Sequence, residues 1–447
     1  MDLLSIVKSI NGVLWGYILI LLLCGTGIYF TINLKFVQVR KFKETFKKAF
    51  GGVKIGSKAG KDGMSSFQAM TTAMAAQVGT GNLAGAATAI VAGGPGAIFW
   101  MWLSAFFGMG TIFAEAVLAQ KFKQKVEGEI VGGPAYYISK GLGSKKLAAF
   151  FAVMSIIVFG FIGSMVQTNS ISAAMSSNIV VRLIVGVIVA ILAGMIFIGG
   201  VGRIAGFTEK VVPVMAVFYI LGSLAIIIMN FKNLGQAFNM IFVGAFNPQA
   251  VAGGAVGITV KEVMRYGISR GLFSNEAGMG STPHAHALAK VKHPAEQGLV
   301  AIICVFIDTF VILTLTALVI LTTGAMDGKT TGIALTQKAF INGMGTAGGP
   351  FIAIALFFFA FSTIVAWYFF GETNVKYLFG KKALNKYRGL VLVFIVLGAA
   401  LKVELVWELA DTFYGLMIIP NLIALVGLGA LVKKSLKNYE DGSQEKK

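Results

Sequence analysis

Two short stretches place groups capable of binding chemistry where only apolar residues would be expected. One is Ala75-Ala76-Gln77-Val78-Gly79-Thr80-Gly81-Asn82. The other is Gly271-Leu272-Phe273-Ser274-Asn275-Glu276-Ala277-Gly278-Met279-Gly280-Ser281. Glycine weakens a helix by up to ~1 kcal/mol relative to alanine, and Asn and hydroxyl groups are costly in lipid unless they are used. Both stretches are therefore expected to be breaks in membrane helices, where unwound backbone is tolerated only if it lines a cavity or is buried in protein. The plainer reading, packing notches, holds for most of the 56 glycines; here the polar neighbours favour breaks. A break frees N–H groups at one half-helix start and C=O groups at the other half-helix end. The N–H end, aided by the helix dipole, suits a carboxylate. The C=O end suits an ammonium or a bare cation, so one such site reads a zwitterionic amino acid without a charged side chain.

The rest of the chain must hold these breaks in a bilayer. Of 447 residues, 56% are hydrophobic and 13% charged, against roughly a quarter charged in soluble domains. A soluble fold is excluded. The net charge of +19 does not point to nucleic acid, because no basic stretch is long or aromatic-interleaved enough to track a phosphate backbone. Cys24 and Cys304 sit in apolar runs and form neither a disulfide framework nor a zinc site. His284 and His286 read as helix-end polar residues. Three histidines in this arrangement supply no nucleophile–base pair or metal cluster, so an enzyme is disfavoured and no cofactor is expected.

A spanning helix needs ~20 mostly apolar residues. Eleven runs qualify: Val13–Leu34, Ser66–Val91, Gly96–Ala119, Leu147–Ser170, Ile179–Gly200, Glu209–Met229, Glu262–Ala289, Gly298–Thr323, Gly349–Phe370, Gly389–Val406 and Asp411–Val432. The first is too long for a signal-peptide core and lacks a small-x-small cleavage site. Loops on one side carry 29 Lys and Arg, those on the other five. The basic side is cytoplasmic, which puts the N-terminus outside and the C-terminus inside a multi-pass protein of the cell membrane.

The two interrupted runs lie five spans apart. That arrangement predicts an all-α polytopic fold with a five-plus-five inverted repeat and one extra N-terminal helix, and paired interrupted spans mark a transporter site. The expected units are an extra helix (1–34), a first repeat (66–230), an external or re-entrant connector (231–261), a second repeat (262–432) and a cytoplasmic tail (433–447). The stretch from Tyr439 reads as disordered, being polar and short.

The run Gly93-Gly94-Pro95-Gly96-Ala97-Ile98-Phe99-Trp100-Met101-Trp102-Leu103-Ser104-Ala105-Phe106-Phe107-Gly108 closely resembles the signature of alanine or glycine:cation symporters. Phe273 to Ser281 is also similar to that family, and the resemblance covers essentially the whole chain. It implies a LeuT-like inverted-repeat fold and import of alanine or glycine with a co-transported cation, sodium above all. The alternatives are a proton-coupled or an uncoupled small amino-acid permease. The aromatic run Phe99 to Trp102 is expected to pack at the outer interface, not to bind substrate.

The resemblance also implies roles. Amides of Gly79, Thr80 and Gly81, beside Gln77, would hold the substrate carboxylate. Phe273 would cover the substrate and Ser274 would meet its amine, with Asn275 and Glu276 beside them. Glu276 departs from the uncharged pattern of distant relatives; it could instead pair with Arg265 or Arg270, or structure the break. Carbonyls of Ala75, Val78 and Phe359 with the hydroxyls of Ser362 and Thr363 would make a five-oxygen sodium site. Alternatively, the two hydroxyls simply bond carbonyls of their own helix. Phe161, Ser164 and Gln167 share a helix face and either wall the pocket or make a helix–helix contact. Asp308 is expected to serve a structural hydrogen bond more than transport, and Glu115 and Glu372 to lie nearer the interfaces. No protein partner or nucleic acid is implied, only a small neutral amino acid, sodium and the bilayer.

The charge asymmetry predicts labelling. A cysteine at Ser5 should react with an impermeant thiol reagent from outside intact cells, while one at Ser443 should react only after permeabilisation. The reverse pattern would sink the orientation.

Overall fold

The computed structural model describes residues 3–51, 53, 56, 59–60, 63–251, 259–401 and 403–442. Among them, nine helical runs are long and apolar enough to cross a membrane. The expected eleven is reached only by counting each interrupted pair as a further crossing. In chain order the elements are α1 (Leu4–Asn33), α2 (Phe42–Phe50), α3 (Ser66–Gln77), α4 (Gly81–Gly93), α5 (Ala97–Lys121), the hairpin β1 (Gln124–Val126) and β2 (Glu129–Val131), α6 (Pro134–Gly141) and α7 (Lys145–Met175). Then come α8 (Ile179–Ile198), α9 (Gly200–Met229), α10 (Leu234–Phe246), α11 (Val260–Asn275), α12 (Pro283–Ala287) and α13 (Pro294–Thr322). Last are α14 (Gly332–Met344), α15 (Gly348–Phe379), α16 (Leu384–Ala400), α17 (Trp407–Gly427) and α18 (Gly429–Glu440).

Both interrupted pairs start the same way. Ser65 Oγ accepts from Gln68 N (3.1 Å) while Ser65 N donates to Gln68 Oε1 (3.0 Å), a reciprocal cap on α3. Thr259 and Glu262 do the same for α11 (3.3 and 2.9 Å). Each cap satisfies two donors that a helix start leaves orphaned. The far ends differ. Val78 leaves α3 at φ −80°, ψ 85°, whereas Glu276 ends α11 in the left-handed region at φ 56°. The second break therefore begins after Asn275; residues 271–275, expected to be unwound, are helical.

The bundle is tied together around α5, which packs against α1, α11 and α13. Close approach comes from small residues, as membrane helices require: a Cβ on Gly267 of α11 would lie 2.4 Å from the Ala97 carbonyl oxygen of α5. Large apolar residues such as Leu21, Ile198 and Ile228 stay exposed on the outer surface, as lipid contact allows. The extra helix α1 clasps α17: Asn11 Nδ2 donates to Glu408 Oε2 (2.6 Å), and Trp15 Nε1 donates to the Asp411 carbonyl (2.9 Å). At the other end of the bundle, Lys376 of α15 reaches Glu372 (2.8 Å) and Glu129 of β2 (3.2 Å), and Lys381 also reaches Glu129 (3.2 Å). Partial burial works against the Glu129 carboxylate, yet these two lysines hold it below the ordinary range.

Several boundaries move. The helix expected from Glu209 starts at Gly200, because only the pair Gly199-Gly200 (φ +59° at Gly200) interrupts it from α8. The run expected over Gly389–Val406 is helical over Leu384–Ala400, and position 402 lies outside the described residues. Tyr439 is not in a disordered tail: it lies in α18 and donates to Glu44 Oε1 of α2 (2.5 Å). Residues 443–447 lie outside the described residues, as do 252–258 of the connector. The rest of that connector holds α10, which docks on the start of α5. There Trp100 Nε1 donates to the Ala245 carbonyl (3.2 Å), and Phe99 and Trp100 meet the Phe246 ring at 5.2 and 5.8 Å.

A Cβ on Gly96 would lie 2.1 Å from the Gly244 carbonyl carbon, while one on Gly12 would meet nothing within 4 Å. Gly96→Ala should therefore cost roughly 1–3 kcal/mol by overpacking and lower the unfolding temperature in detergent, with Gly12→Ala unchanged. Equal melting of the two would show that α10 is not seated on α5.

Candidate functional site

The two breaks touch. Gln77 Nε2, at the end of α3, donates to the Asn275 carbonyl at the end of α11 (2.5 Å). A Cβ on Gly81 would lie 3.1 Å from Ser274 Cα, a contact tight enough that a larger residue would push the backbones apart by a few tenths of an ångström. Asp308 of α13 joins both sides. Its carboxylate accepts from Asn82 Nδ2 (2.6 Å), from Ser274 Oγ (3.2 Å to each oxygen) and from Thr309 Oγ1 (2.8 Å). Asn82 Oδ1 in turn accepts from Gly79 N (3.0 Å), so one freed amide of the first break is held by the chain itself. Asp308 sits in a π-helical stretch, Phe306–Leu313, a distortion often found at functional sites. Asn82, not among the expected site residues, and Asp308, expected to serve a structural hydrogen bond, both sit at this junction, and the bonds of Asp308 are of that kind. The available signal was a lone acid deep in an apolar span.

The second break is held by carboxylates. Glu115 of α5 accepts from Gly278 N (3.0 Å), Gly280 N (2.9 Å) and Asn421 Nδ2 (2.8 Å). Asn421 Oδ1 accepts from the Tyr137 hydroxyl. Glu115, in the last two turns of α5, is fully buried against the broken helix. Glu276 accepts from Ser281 Oγ (2.6 Å) and Trp367 Nε1 (3.0 Å). It does not pair with arginine: Arg270 lies 3.8 Å from Asp411, and Arg265 lies over the Tyr266 ring. Of the uses open to Glu276, structuring the break is the one the geometry displays. His284 Nδ1 donates to the Ser281 carbonyl (2.7 Å) and Nε2 accepts from Asn374 Nδ2 (2.8 Å), while Gln297 Nε2 bonds His286 Nδ1 (2.8 Å). Both histidines are buried, not at a helix surface.

Four of the five oxygen groups expected for sodium converge. Thr363 Oγ1 donates to the Phe359 carbonyl of its own helix (3.0 Å) and lies 2.9 Å from the Ala75 carbonyl of α3. Ser362 Oγ lies 3.0 Å from the same Phe359 carbonyl and 3.5 Å from Met215 Sδ. A Cβ on Gly79 would lie 2.6 Å from Thr363 Oγ1, so the group sits against the first break. Val78 is buried at the same turn. Bonding to the hydroxyls' own helix also occurs, yet it does not account for the contact from Thr363 to Ala75.

Around the breaks, the Phe273 ring meets Trp407 (5.9 Å) and Tyr414 (5.5 Å). A cavity of about 40 Å³, lined by Trp15, Ser269, Arg270, Phe273 and Asp411, reaches it from one end of the bundle. Gln77 Oε1, Thr80 Oγ1 and Gln167 Oε1 are buried with no hydrogen-bond partner among the described residues. Burying such groups unpaired costs roughly 1–3 kcal/mol each, so a water, ion or ligand that pairs with them is stabilising. Phe161 and Ser164 are not brought to the breaks. Phe161 stacks on Phe394 of α16 (4.7 Å), and Ser164 Oγ donates to the Phe159 carbonyl (3.4 Å).

The profile of the sodium:alanine symporter family matches residues 1–447. A sodium/alanine symporter of Methanococcus maripaludis is 43% identical, over 99% of this chain and 98% of its own length. A probable sodium/glutamine symporter of Bacillus subtilis is 44% identical, over 97% and 90%. A manganese transporter of Eremococcus coleocola shares the fold, with a TM-score of 0.51 at 12% identity, over 87% of this chain and 82% of the other.

Glu115→Ala would leave the Gly278 and Gly280 amides and the Asn421 side chain without their acceptor, at about 1–3 kcal/mol per orphaned donor. It should melt far below the native protein in detergent. Glu115→Gln, which keeps one acceptor oxygen, should fall between. A Glu115→Ala protein that melts normally would mean these donors find other partners.

Proposed function

We propose that this chain, which belongs to the sodium:alanine symporter family, imports alanine or glycine together with sodium by alternating access. The observation that carries this reading is the hydroxyl of Thr363, set 2.9 Å from the Ala75 carbonyl and 3.0 Å from the Phe359 carbonyl, against Gly79. Hard oxygen ligands suit a hard cation, and none of these groups titrates near neutral pH.

In this reading sodium sits at the C=O end of α3, held by Ala75, Val78, Phe359, Ser362 and Thr363. The amides of Thr80 and Gly81, at the start of α4, take the substrate carboxylate with the help of the helix dipole. The Ser274 hydroxyl, Gln77 Oε1 and Gln167 Oε1 supply acceptors for the ammonium. Phe273 closes over a side chain no larger than a methyl group. Ion and substrate then share one broken helix, so each stabilises the arrangement that the other needs, which is the thermodynamic content of coupling. Alternating access follows from two five-helix repeats of opposite orientation, 66–230 and 262–432, moving about this midplane site. The N-terminus lies outside and the C-terminus in the cytoplasm.

One observation favours a second reading, proton coupling: Asp308 joins both breaks. Substitution separates the two. Ser362→Ala and Thr363→Ala each remove one oxygen ligand, a loss of about 1–1.5 kcal/mol, and should raise the sodium concentration for half-maximal alanine binding about five- to twelvefold. Titrating sodium at two pH values on each mutant and on Asp308→Asn tests this. Native sodium dependence in both hydroxyl mutants, or its loss in Asp308→Asn alone, would place coupling at the acid instead.

A further inference from the structure

A cavity of about 420 Å³ opens on the outer surface between α9 and α15, lined by Lys210, Val211, Val214, Met215, Phe218, Ile354 and Phe358. Lys210, Val214 and Phe218 lie four residues apart on α9 and are exposed, as are Ile354 and Phe358 on α15. The wall is apolar except at one end. There the Lys210 ammonium has no carboxylate within 4 Å among the described residues. Its neighbour Glu209 turns inward and accepts from Gln68 Nε2 (3.1 Å), in the first turn of α3. That level of α9 therefore matches the start of α3, about 13 Å from the central break at ~1.5 Å per helical residue. With a hydrocarbon half-thickness of about 15 Å, the long lysine stem lies along apolar surface while its ammonium reaches the headgroup layer.

We propose that this groove binds an anionic phospholipid of the cytoplasmic leaflet. Its phosphate pairs with Lys210, and one acyl chain lies against Val214, Met215, Phe218, Ile354 and Phe358. The assignment of the leaflet, and the consequence below, rest on the orientation and sodium site proposed above. Charge complementarity selects the lipid: the wall accepts any acyl chain, and an unmatched ammonium at the inner headgroup level favours a net negative head, the kind enriched on that face. The bound lipid has a route to the ion. Met215 forms the floor of the groove, and its Sδ accepts from Ser362 Oγ (3.5 Å). A chain filling the groove holds α9 against α15 and keeps Ser362 in its sodium-binding position, lowering the ordering cost of ion binding.

The test uses the full-length purified protein with phosphatidylglycerol and phosphatidylcholine. In native mass spectrometry the unaltered protein should retain phosphatidylglycerol several-fold over phosphatidylcholine. Lys210→Gln should lose that preference and Lys210→Arg keep it. Val214→Trp, which fills the groove, should retain less of both. In bilayers containing phosphatidylglycerol, half-maximal alanine binding should need several-fold less sodium than in pure phosphatidylcholine, and Lys210→Gln should erase the difference. Equal phosphatidylglycerol retention by the unaltered protein and Lys210→Gln would overturn the proposal, as would a lipid effect on sodium that survives Lys210→Gln. Retention needs no alanine, so selective retention without sodium-dependent alanine binding would support the lipid site and count against the sodium reading alone.

Discussion

Backbone amides freed inside a bilayer must find partners, and this fold is organised around how they do. Water cannot reach them, and each unsatisfied group costs several kcal/mol. The chain answers with acids carried on neighbouring helices. Glu115 of α5 takes two amides of the second break. Asp308 of α13 takes the first break indirectly, through Asn82, whose other end holds the Gly79 amide. This explains why α5 and α13 are among the most deeply buried helices and why small residues line the contacts between α5 and the broken α11. A carboxylate can serve an amide only if its helix lies directly alongside.

The two breaks are satisfied unequally, and the inequality has a use. At the second, Glu115, Asn275, Glu276 and Asn421 account for the Ala277, Gly278 and Gly280 amides and the Gly278 carbonyl and fasten flanking side chains, leaving the buried Thr282 hydroxyl without a partner among the described residues. At the first, Asn82 takes Gly79, while Gln77 and Thr80 keep buried oxygens without partners. Backbone amides held by carboxylates make a rigid wall; a break whose amides are mostly unheld is stabilised by whatever supplies the missing contacts. A ligand shifts a conformational equilibrium only by its differential affinity for the two states, and orphaned polar groups at a break are where that difference can be largest.

The spans were legible because lipid fixes their length, and the breaks because glycine and polar residues are conspicuous against an apolar background. What escaped was mostly tertiary. In a water-soluble helix the apolar face marks the core, but in a membrane helix the lipid-facing side is apolar as well. The spacing of Phe161, Ser164 and Gln167 therefore identifies a face without revealing that Phe161 packs against Phe394 of α16. Glu115 escaped for a related reason: its place near the end of its own helix is legible, but its partner is not, since Gly278 lies on a different, broken helix. The early start of α9 at Gly200 is hidden because Arg203 and the glycines around it look like a loop. Long basic side chains can extend to the headgroup layer from a helix that is still inside the bilayer.

A site built largely from backbone has a definite consequence for selectivity. Amides and carbonyls at a break read the carboxylate and the ammonium, and every α-amino acid carries both. They can exclude amines, acids and sugars, but they cannot tell alanine from a larger amino acid. That discrimination must fall to side chains packed where the substrate's own side chain projects. In the proposed site those are aromatic: Phe273 at the break, with Trp407 and Tyr414 against it on α17. Their positions are set from outside the site, because α17 is clasped by α1 through Asn11 and Trp15. An aromatic wall discriminates by shape, and one methylene in such a pocket is worth only about 1–3 kcal/mol. Under the proposed function, chains that share the same broken helices can therefore differ in substrate through changes at this wall, or in the helix that braces it, while the ion site proposed around Ala75 and Thr363 stays unaltered.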